Sequence, residues 1–487
     1  MKDLDQLAFD NSFARLPDAF YTRLNATPLL NPTLAAFSRE CASLLDLEDT
    51  AKTRQLLTEI CSGHQQWPGS EPLAMVYSGH QFGGYNPQLG DGRGLLLGEV
   101  RNSLGEKWDL HLKGAGKTPY SRFGDGRAVL RSCIREYLCS EALHHLGIPT
   151  TRALCIVTSD TPVQRETEEK GSTLLRVART HIRFGHFEFF NYTQQHEALK
   201  MLADYTIDQH FPHLSEKDDK YTLFFREVLT KTAHLIARWQ AVGFAHGVMN
   251  TDNMSILGET FDFGPYGFMD DFNWHYICNH SDHHGRYAFN QQPDISYWNC
   301  GCLARALLPL IDDPQPLQKA MDEYPQVYSE EYARLMGEKL GLKTLEEEDP
   351  DLIKDLLQVL HDTGCDYTLF FRQLCEFSAD GDNQAIRSLF NNSEGFDQWS
   401  KRYAARLQRN LLDDQTRRKH MQQVNPKYVL RNYLAQQAIE RAEEGDFGEI
   451  ENLMTVLRKP FDEHPQWQKY AQQPPEWGRK LEVSCSS

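Results

Sequence analysis

Residues 246–253 read HGVMNTDN, and residues 262–264 read DFG. The two runs supply an amide oxygen at Asn253 and a carboxylate at Asp262. Magnesium and manganese prefer such hard oxygen ligands, and the pair can hold a cation against nucleotide phosphates. An Asp-Phe-Gly triplet alone occurs by chance in long chains, where it is a polar turn between two buried strands. The two runs together, placed after a long helical pattern, predict a metal–nucleotide site.

The spacing of these runs is typical of a protein kinase. An asparagine seven residues after a histidine, and then an aspartate that opens Asp-Phe-Gly, match the kinase catalytic loop and metal-binding motif. Two residues after that histidine, kinases carry the aspartate that receives the hydroxyl proton, whereas this chain has Val248. Valine cannot accept a proton, so the pattern disfavours transfer of the γ-phosphoryl group. Asp252 is the nearest candidate for another proton acceptor.

The order of the elements predicts the fold class. A chain of 487 residues is too long for one ordinary core, so two or more lobes are expected. Strand patterns precede helical patterns, which predicts an α+β, protein-kinase-like two-lobed fold with a nucleotide cleft between the lobes. The strand patterns are at 94–100, 108–113, 153–158 and 173–178, and the helical patterns are at 128–146, 221–242, 296–311 and 329–340. The predicted divisions are an N-terminal extension (1–72), a small sheet-rich N-lobe (73–190), a larger helical C-lobe with the metal site (191–477) and a flexible C-terminal tail (478–487).

Four charged residues are candidates for phosphate binding. Lys113 ends an apolar strand pattern, and Glu136 lies at the margin of the apolar stripe of the next helix. A lysine that emerges from a buried strand needs a counter-charge, and this glutamate can provide it while orienting the ammonium toward phosphate. In isolation, a snorkelling lysine and a solvated glutamate are the commoner arrangement, but the 246–264 runs favour the ion pair. Arg176 and Arg183 carry guanidinium forks that suit phosphate oxygens, although most arginines chosen this way form surface salt bridges.

Glycine-rich loops lie around these residues. Residues 114–118 (GAGKT) resemble the end of a P-loop, but His111 stands where that motif needs a glycine and Pro119 disrupts the helix start. We therefore reject a P-loop. Residues 90–94 (GDGRG) precede a strand and predict a turn whose backbone amides approach phosphate. Residues 123–127 (FGDGR) form a second flexible loop, which is placed to close over a nucleotide.

The amino-acid composition limits the kinds of partner that the protein is expected to bind. The net charge of −17 disfavours non-specific binding to nucleic acid or to an anionic membrane, while local cations and a metal can still hold ATP. No run approaches the ~18–20 apolar residues that span a bilayer, and the acidic amino terminus lacks a signal-peptide core. Most of the eleven cysteines lie in apolar runs, as expected for reduced thiols in a cytoplasmic protein.

A histidine-rich segment follows the Asp-Phe-Gly run. Its candidate metal ligands fit no standard structural zinc spacing, and cytosolic zinc sites usually gather cysteine pairs. We predict instead a polar loop whose histidines bond backbone or substrate. The residues concerned are His275, Cys278, His280, His283 and His284.

Five runs closely resemble the selenoprotein O family. They are residues 78–83 (SGHQFG), 88–93 (QLGDGR), 112–116 (LKGAG), 122–127 (RFGDGR) and 246–264, and the resemblance covers about residues 70–310 and the carboxyl-terminal tail. This kinase-like family, once classed as pseudokinases, is known for protein adenylylation. The resemblance implies that AMP moves from ATP to Ser, Thr or Tyr hydroxyls of proteins, with ATP inverted relative to kinases.

The resemblance also implies residue roles. The phosphates would be engaged by Lys113, Arg176 and Arg183, with Glu136 positioning Lys113. Mg²⁺ or Mn²⁺ would be held by Asn253 and Asp262, and Asp252 would accept the proton. The residues that would line the nucleotide pocket are Gly90, Gly92, Arg93, Asp125, Gly126 and Asp262. Residues 485–487 (CSS) match the family's end, with cysteine where some members carry selenocysteine. A disulfide between Cys278 and Cys485 is implied as well, which would make the tail redox-active.

Two other functions stay open at this point. One is a metal-dependent phosphotransferase that uses the same site, and the other is a catalytically silent nucleotide-binding scaffold. For the adenylyltransferase, we expect ATP and hydroxyl-bearing protein substrates as partners, a link to oxidative stress, no nucleic acid or membrane partner, and a monomer.

Overall fold

The computed structural model describes residues 4–410 and 412–484. The chain is a mixed α/β protein in which strands are concentrated before residue 180 and helices after it. The strands are β1 Ala8–Phe9, β2 Tyr21–Arg23, β3 Thr33–Phe37, β4 Leu73–Met75, β5 Gly79–Gln81, β6 Gly84–Asn86, β7 Gly94–Arg101, β8 Lys107–Lys113, β9 Ala128–Val129, β10 Arg152–Gln164, β11 Glu168–Ala178, β12 Phe244–Ala245 and β13 Gly267–Phe268.

Helices make up most of the remaining chain. They are α1 Arg39–Leu44, α2 Ala51–Cys61, α3 Leu130–His145, α4 Phe184–Tyr192, α5 His196–His210, α6 Lys220–Ala241, α7 Gln292–Leu307, α8 Gln315–Lys339, α9 Asp349–Thr363, α10 Tyr367–Leu374, α11 Gln384–Arg387, α12 Glu394–Gln408, α13 Asp414–Val424, α14 Asn432–Glu443 and α15 Gly448–Leu457. Among the described ranges, no helix is both long enough and apolar enough to traverse a bilayer.

One antiparallel sheet carries the basic residues of the site. Within the described residues it has nine strands in the order β2-β4-β7-β8-β11-β10-β3, with β1 paired to β7 and β9 to β11. The register sets Arg176 of β11 opposite His111 of β8, and Lys113 follows two residues later on the same strand. Directly opposed residues and residues two apart share a face of a sheet. Arg176, His111 and Lys113 therefore project from the same face.

Helix α3 is buried on all sides, which the sequence pattern did not indicate. It lies between strands β10 and β11 on one side and helices α14 and α15 on the other. Glu136, predicted at the margin of an apolar stripe, is only 1% exposed, and its carboxylate faces Lys113 of β8 and Arg176 of β11. The helix ends before Gly147, whose φ of +77° lies in the left-handed region that favours glycine. A buried carboxylate at this position requires a partner.

Two predicted elements differ from the observed ones. Residues 1–72 were predicted as an N-terminal extension, without strands, yet they supply β1, β2 and β3 of the main sheet. Their short lengths leave little periodicity, and their pairing partners are distant in sequence. The helix predicted over 329–340 is the second half of α8, which begins at Gln315 and contains Pro325. Pro316 lies in the first turn, where a proline costs no hydrogen bond, whereas Pro325 lies inside the helix at a position where the sequence pattern normally indicates a break. The helix therefore starts earlier than the pattern indicates.

Candidate active site

An open cleft of about 540 Å³ lies beside the basic face of the sheet. Its walls come from the glycine loop at 90–94, the loop at 121–127, strands β8 and β11, and the segment from 248 to 265. Every residue singled out above for nucleotide binding lines this cleft except Glu136, which lies beneath it. The cleft is therefore where the predicted site residues meet.

A continuous chain of ion pairs forms the floor of the cleft. Lys113 Nζ lies 2.7 Å from Glu136 Oε2, and the same carboxylate accepts a bond from Arg176 Nε at 2.5 Å. Arg176 Nη2 continues to Asp262 Oδ1 at 2.6 Å, and Arg183 Nη1 donates to Asp262 Oδ2. Three cations thus share two carboxylates, which leaves one net positive charge to face an anion.

Burial and neighbouring charges shift the pKa values of these ionisable groups in opposite directions. Burial favours the neutral acid of Glu136, but Arg176 and Lys113 outweigh it and hold the pKa of Glu136 at about 2. Burial likewise opposes ionisation of Asp262, and Arg183 and Arg176 hold its pKa well below the usual range. For Lys113, burial lowers the pKa even though Glu136 opposes the shift. Both carboxylates are therefore ionised at neutral pH.

The Asp-Phe-Gly turn has a backbone conformation that few residues adopt. Asp262 has a φ of +60°, in the left-handed region that is costly for a side chain with a Cβ atom. His246 connects this turn to the 246–253 loop, since the Val248 N–H donates to its Nδ1 and its Nε2–H donates to the carbonyl of Phe261. The ring also stacks on Trp239, 5.3 Å between centroids. These contacts fix Asp262 where its carboxylate faces the cleft.

Asn253 and Asp262 fit the chemistry of a magnesium or manganese site. The amide nitrogen of Asn253 donates to the carbonyl of Val248 at 3.0 Å, so its amide oxygen is the atom left for a cation. Asp262 offers carboxylate oxygens in the same cleft. Amide and carboxylate oxygens are the ligands that such hard cations prefer, and magnesium takes its remaining ligands from water and phosphate. Val248 itself lines the cleft and has no group that could accept a proton.

Asp252 lies between strand β5 and the two candidate metal ligands, Asn253 and Asp262. Asp252 is 7% exposed, and its Oδ2 accepts a bond of 3.3 Å from the side-chain amide of Gln81. Burial raises the pKa of Asp252 to about 7, against the lowering effect of Arg183. The carboxylate also lies 2.8 Å from where a Cβ on Gly79 would stand, so only glycine fits there. An aspartate in this state can take up a proton near neutral pH.

A second network locks the loop that bears Asp252. Glu188 of α4 accepts a bond from the Thr251 hydroxyl, and its other oxygen lies 2.5 Å from Nδ1 of His80. The backbone N–H of His80 in turn donates to Thr251 Oγ1 at 2.7 Å. Strand β5 is thereby fixed to the turn that carries Asp252 and Asn253.

The glycine loops approach the rest of the cleft wall closely. A Cβ on Gly126, whose φ is +73°, would stand 2.1 Å from the carbonyl oxygen of Gly116. A Cβ on Gly92 would stand 2.9 Å from the Tyr120 carbonyl. Gly90 has a φ of +110°. These positions are restricted to glycine because the backbone itself approaches other backbone.

Asp125 has a role that the sequence did not reveal. Arg165, at the tip of the β10–β11 hairpin, binds its carboxylate through two contacts of 2.8 and 3.1 Å. The backbone N–H of Arg127 donates to the same group. Asp125 therefore organises the loop at 121–127, and Arg93 also lines the cleft.

Several contributors were missed by the sequence analysis. Gln81 and His80 belong to a run that was singled out only for its resemblance, and Arg165 and Glu188 were not considered. Each contacts a residue 40 or more positions away. His80 and Gln81 could have been noticed as polar residues within the glycine-bearing run at 78–83, although that run does not indicate their partners, and the sequence carries no comparable signal for Arg165 or Glu188.

Comparison with known proteins agrees with the geometry of an enzyme that handles a nucleotide. The site and the relatives together define the class as a nucleotidyltransferase. The chain belongs to the protein adenylyltransferase SelO family, whose model matches residues 3–458. It is similar to the protein nucleotidyltransferase YdiU of Stutzerimonas stutzeri (strain A1501), with 56% identity over the full length of both chains. The proteins of that name from Ectopseudomonas mendocina and Azotobacter vinelandii are each 55% identical, again over the full lengths. The family resemblance drawn from the sequence motifs is confirmed.

Proposed function

We propose that this enzyme transfers AMP from ATP to Ser, Thr or Tyr hydroxyls of protein substrates and releases pyrophosphate. The observation that carries the proposal is the buried chain of three cations, Lys113, Arg176 and Arg183, held by Glu136 and Asp262 at the floor of the cleft. Family membership supports nucleotidyl transfer as the reaction class. The absence of a proton acceptor at Val248 argues against ordinary kinase chemistry.

ATP binding would rearrange the partners of Asp262. In the structure both arginines bind this carboxylate. Triphosphate oxygens are bidentate partners for guanidinium groups as carboxylates are, and a bound triphosphate would replace the carboxylate on Arg176 and Arg183. Asp262 would then be available, with Asn253, to hold Mg²⁺ or Mn²⁺. A divalent cation there would neutralise phosphate charge as it develops.

The acceptor hydroxyl would approach from the Asp252 side of the cleft. Its oxygen attacks the α-phosphorus, the bond to the β-phosphate oxygen breaks, and pyrophosphate leaves with that electron pair. The hydroxyl proton passes to Asp252, which Gln81 orients. ATP must lie with its α-phosphate toward Asp252 for this geometry, which is the reverse of the orientation in kinases.

The protein-kinase-like division into two lobes belongs to the same proposal. Its support is the order of elements, a sheet-rich half before a helical half, with the cleft between them. The divisions at residues 72, 190 and 477, the cytoplasmic location and the monomeric state stay predictions.

The redox link depends on the tail. Cys485 lies outside the described residues, and Cys278 is buried beside Gly247 of the 246–253 loop. The tail reaches this region, since the backbone N–H of His280 donates to the carbonyl of Val483 at 2.8 Å. Within the described ranges no disulfide is formed. A Cys278–Cys485 disulfide would tether the tail to that loop, and peptide mapping without reductant after mild oxidation tests it: unlinked thiols at both positions would refute the link.

Intact-mass spectrometry tests the proposed reaction. An acceptor protein incubated with the enzyme, ATP and Mg²⁺ or Mn²⁺ should gain the mass of one AMP per modified hydroxyl. A gain of one phosphate would favour the phosphotransferase. No gain on any acceptor or on the enzyme itself would favour a silent scaffold.

A further inference from the structure

A second groove of about 610 Å³ opens next to the nucleotide cleft. It is formed mainly by the histidine-rich segment from 275 to 291, which follows the Asp-Phe-Gly turn. Phe82 lines both the groove and the cleft, so the two cavities meet at this side chain. The groove therefore lies directly beside the nucleotide site.

The junction lies at the candidate proton acceptor. Tyr287 accepts a bond from the backbone N–H of Phe82 at 2.8 Å and donates its hydroxyl to Asn250 Oδ1 at 2.7 Å. Asn250 precedes Asp252 by two residues, and Gln81, next to Phe82, bonds the Asp252 carboxylate. A chain lying in the groove would consequently reach the cleft beside Asp252.

Arg286 lies at this junction and has no acidic partner among the residues the structure describes. Its guanidinium group is 4.9 Å from the centroid of Trp298 and 5.9 Å from that of Tyr287. Its Nε is buried and has no hydrogen-bond partner in the described part of the chain. The nearby carboxylate of Asp282 is already occupied by the backbone N–H groups of Arg286 and Tyr287. A guanidinium in this state favours an incoming carboxylate.

The remaining lining suits a polypeptide. Phe82 and Ile277 are 47% and 43% exposed, which is high for large apolar side chains. His283 and His284 are exposed on the same wall, and they add no negative charge. Apolar contact surface beside a cation without an acidic partner matches an extended, acidic segment rather than a small neutral ligand.

We infer that this groove binds the acceptor protein through an extended segment whose carboxylate, close to the modified hydroxyl, pairs with Arg286. The inference rests on the proposed function and adds a substrate class to it: hydroxyls flanked by Asp or Glu. The overall charge of −17 would repel such acceptors, so the local cation must supply the attraction.

Direct peptide binding tests the groove without relying on transfer. Two fluorescein-labelled peptides would be compared by fluorescence anisotropy: one has a tyrosine flanked by Asp and Glu, and the other has Asn and Gln at those positions. Wild-type protein should bind the acidic peptide about tenfold more tightly, as expected for a charged hydrogen bond, and added salt should weaken this preference. Arg286→Gln should reduce the preference to within about twofold.

The matched control is Arg226→Gln. Arg226 is an exposed arginine of α6 that pairs with Glu323, away from both cavities. This variant should keep the wild-type preference. Equal binding of the two peptides by the wild-type protein would overturn the inference whether or not Arg286→Gln folds. A full preference in a folded Arg286→Gln variant would overturn it as well.

Transfer from α-labelled ATP separates this inference from the proposed function. The acidic peptide should be labelled with the higher kcat/KM, and Arg286→Gln should lose that advantage while still binding ATP. If neither an acceptor nor the enzyme itself becomes labelled, the proposed function fails. The peptide-binding comparison then still shows whether the groove prefers acidic segments. If both peptides are labelled equally well by the wild-type enzyme, the function stands and the acidic preference is refuted.

Discussion

Arg176 binds Asp262 at 2.6 Å, although 86 residues separate them in sequence. The contact joins strand β11 to the Asp-Phe-Gly turn. It pairs Arg176, which is proposed to bind phosphate, with Asp262, which is proposed to bind the metal. Since Arg176 also binds Glu136, one guanidinium connects the buried carboxylate of Glu136 with the partly exposed carboxylate of Asp262. The site is therefore one electrostatic unit rather than a set of independent residues.

Replacement of Asp262 should affect both metal use and stability. Asp262→Asn removes the anionic ligand, so transfer should fall by about 100-fold or more at saturating Mg²⁺. The variant should also melt at a lower temperature, because the buried side chains of Arg176 and Arg183 lose a counter-charge. Steady-state transfer and thermal unfolding measure the two effects. Near-wild-type turnover in this variant would show that Asp262 is not the metal ligand.

The Lys113–Glu136 ion pair predicts which of two variants is the less stable, Lys113→Met or Glu136→Gln. Lys113→Met should abolish transfer yet destabilise the fold only modestly, because Glu136 keeps Arg176 as its partner. From sequence alone, Glu136→Gln is expected to be the milder change for activity. The structure shows that it removes the charge shared by two cations, which should cost about 3 kcal/mol of unfolding free energy. Chemical denaturation of both variants tests this order, and a larger loss for Lys113→Met would contradict it.

Arg176 and Arg183 should discriminate between nucleotides. If they hold the β- and γ-phosphates, Arg176→Gln and Arg183→Gln should weaken ATP binding by about tenfold or more and AMP binding far less. Calorimetric titration of each nucleotide gives the comparison. Arg131→Gln, which loses a pair with Glu169 outside the cleft, is the control and should bind both normally. Equal losses for ATP and AMP would place the two arginines elsewhere on the nucleotide.

The sequence alone indicated those candidate site residues that lie in one motif or in neighbouring elements. Asn253 and Asp262 could be read from spacing, and Lys113 and Glu136 from neighbouring elements. Arg176 and Arg183 could be proposed only by chemical type, because their contact with Asp262 depends on how strand β11 meets the Asp-Phe-Gly turn. Gln81 is 171 residues from Asp252 and was not found at all. In the fold, the long helix α6 was predicted within one residue at each end, whereas strands β1 to β3 were missed because pairing, not periodicity, defines them.

The position of the transferred label tests the central claim most directly. One acceptor protein would be incubated with the enzyme, Mg²⁺ and either α- or γ-labelled ATP, with Asp252→Asn as the inactive control. The account predicts protein-bound label from α-labelled ATP only, with γ-label released in pyrophosphate, and little transfer by the variant. Protein-bound label from γ-labelled ATP and none from α-labelled ATP would contradict it.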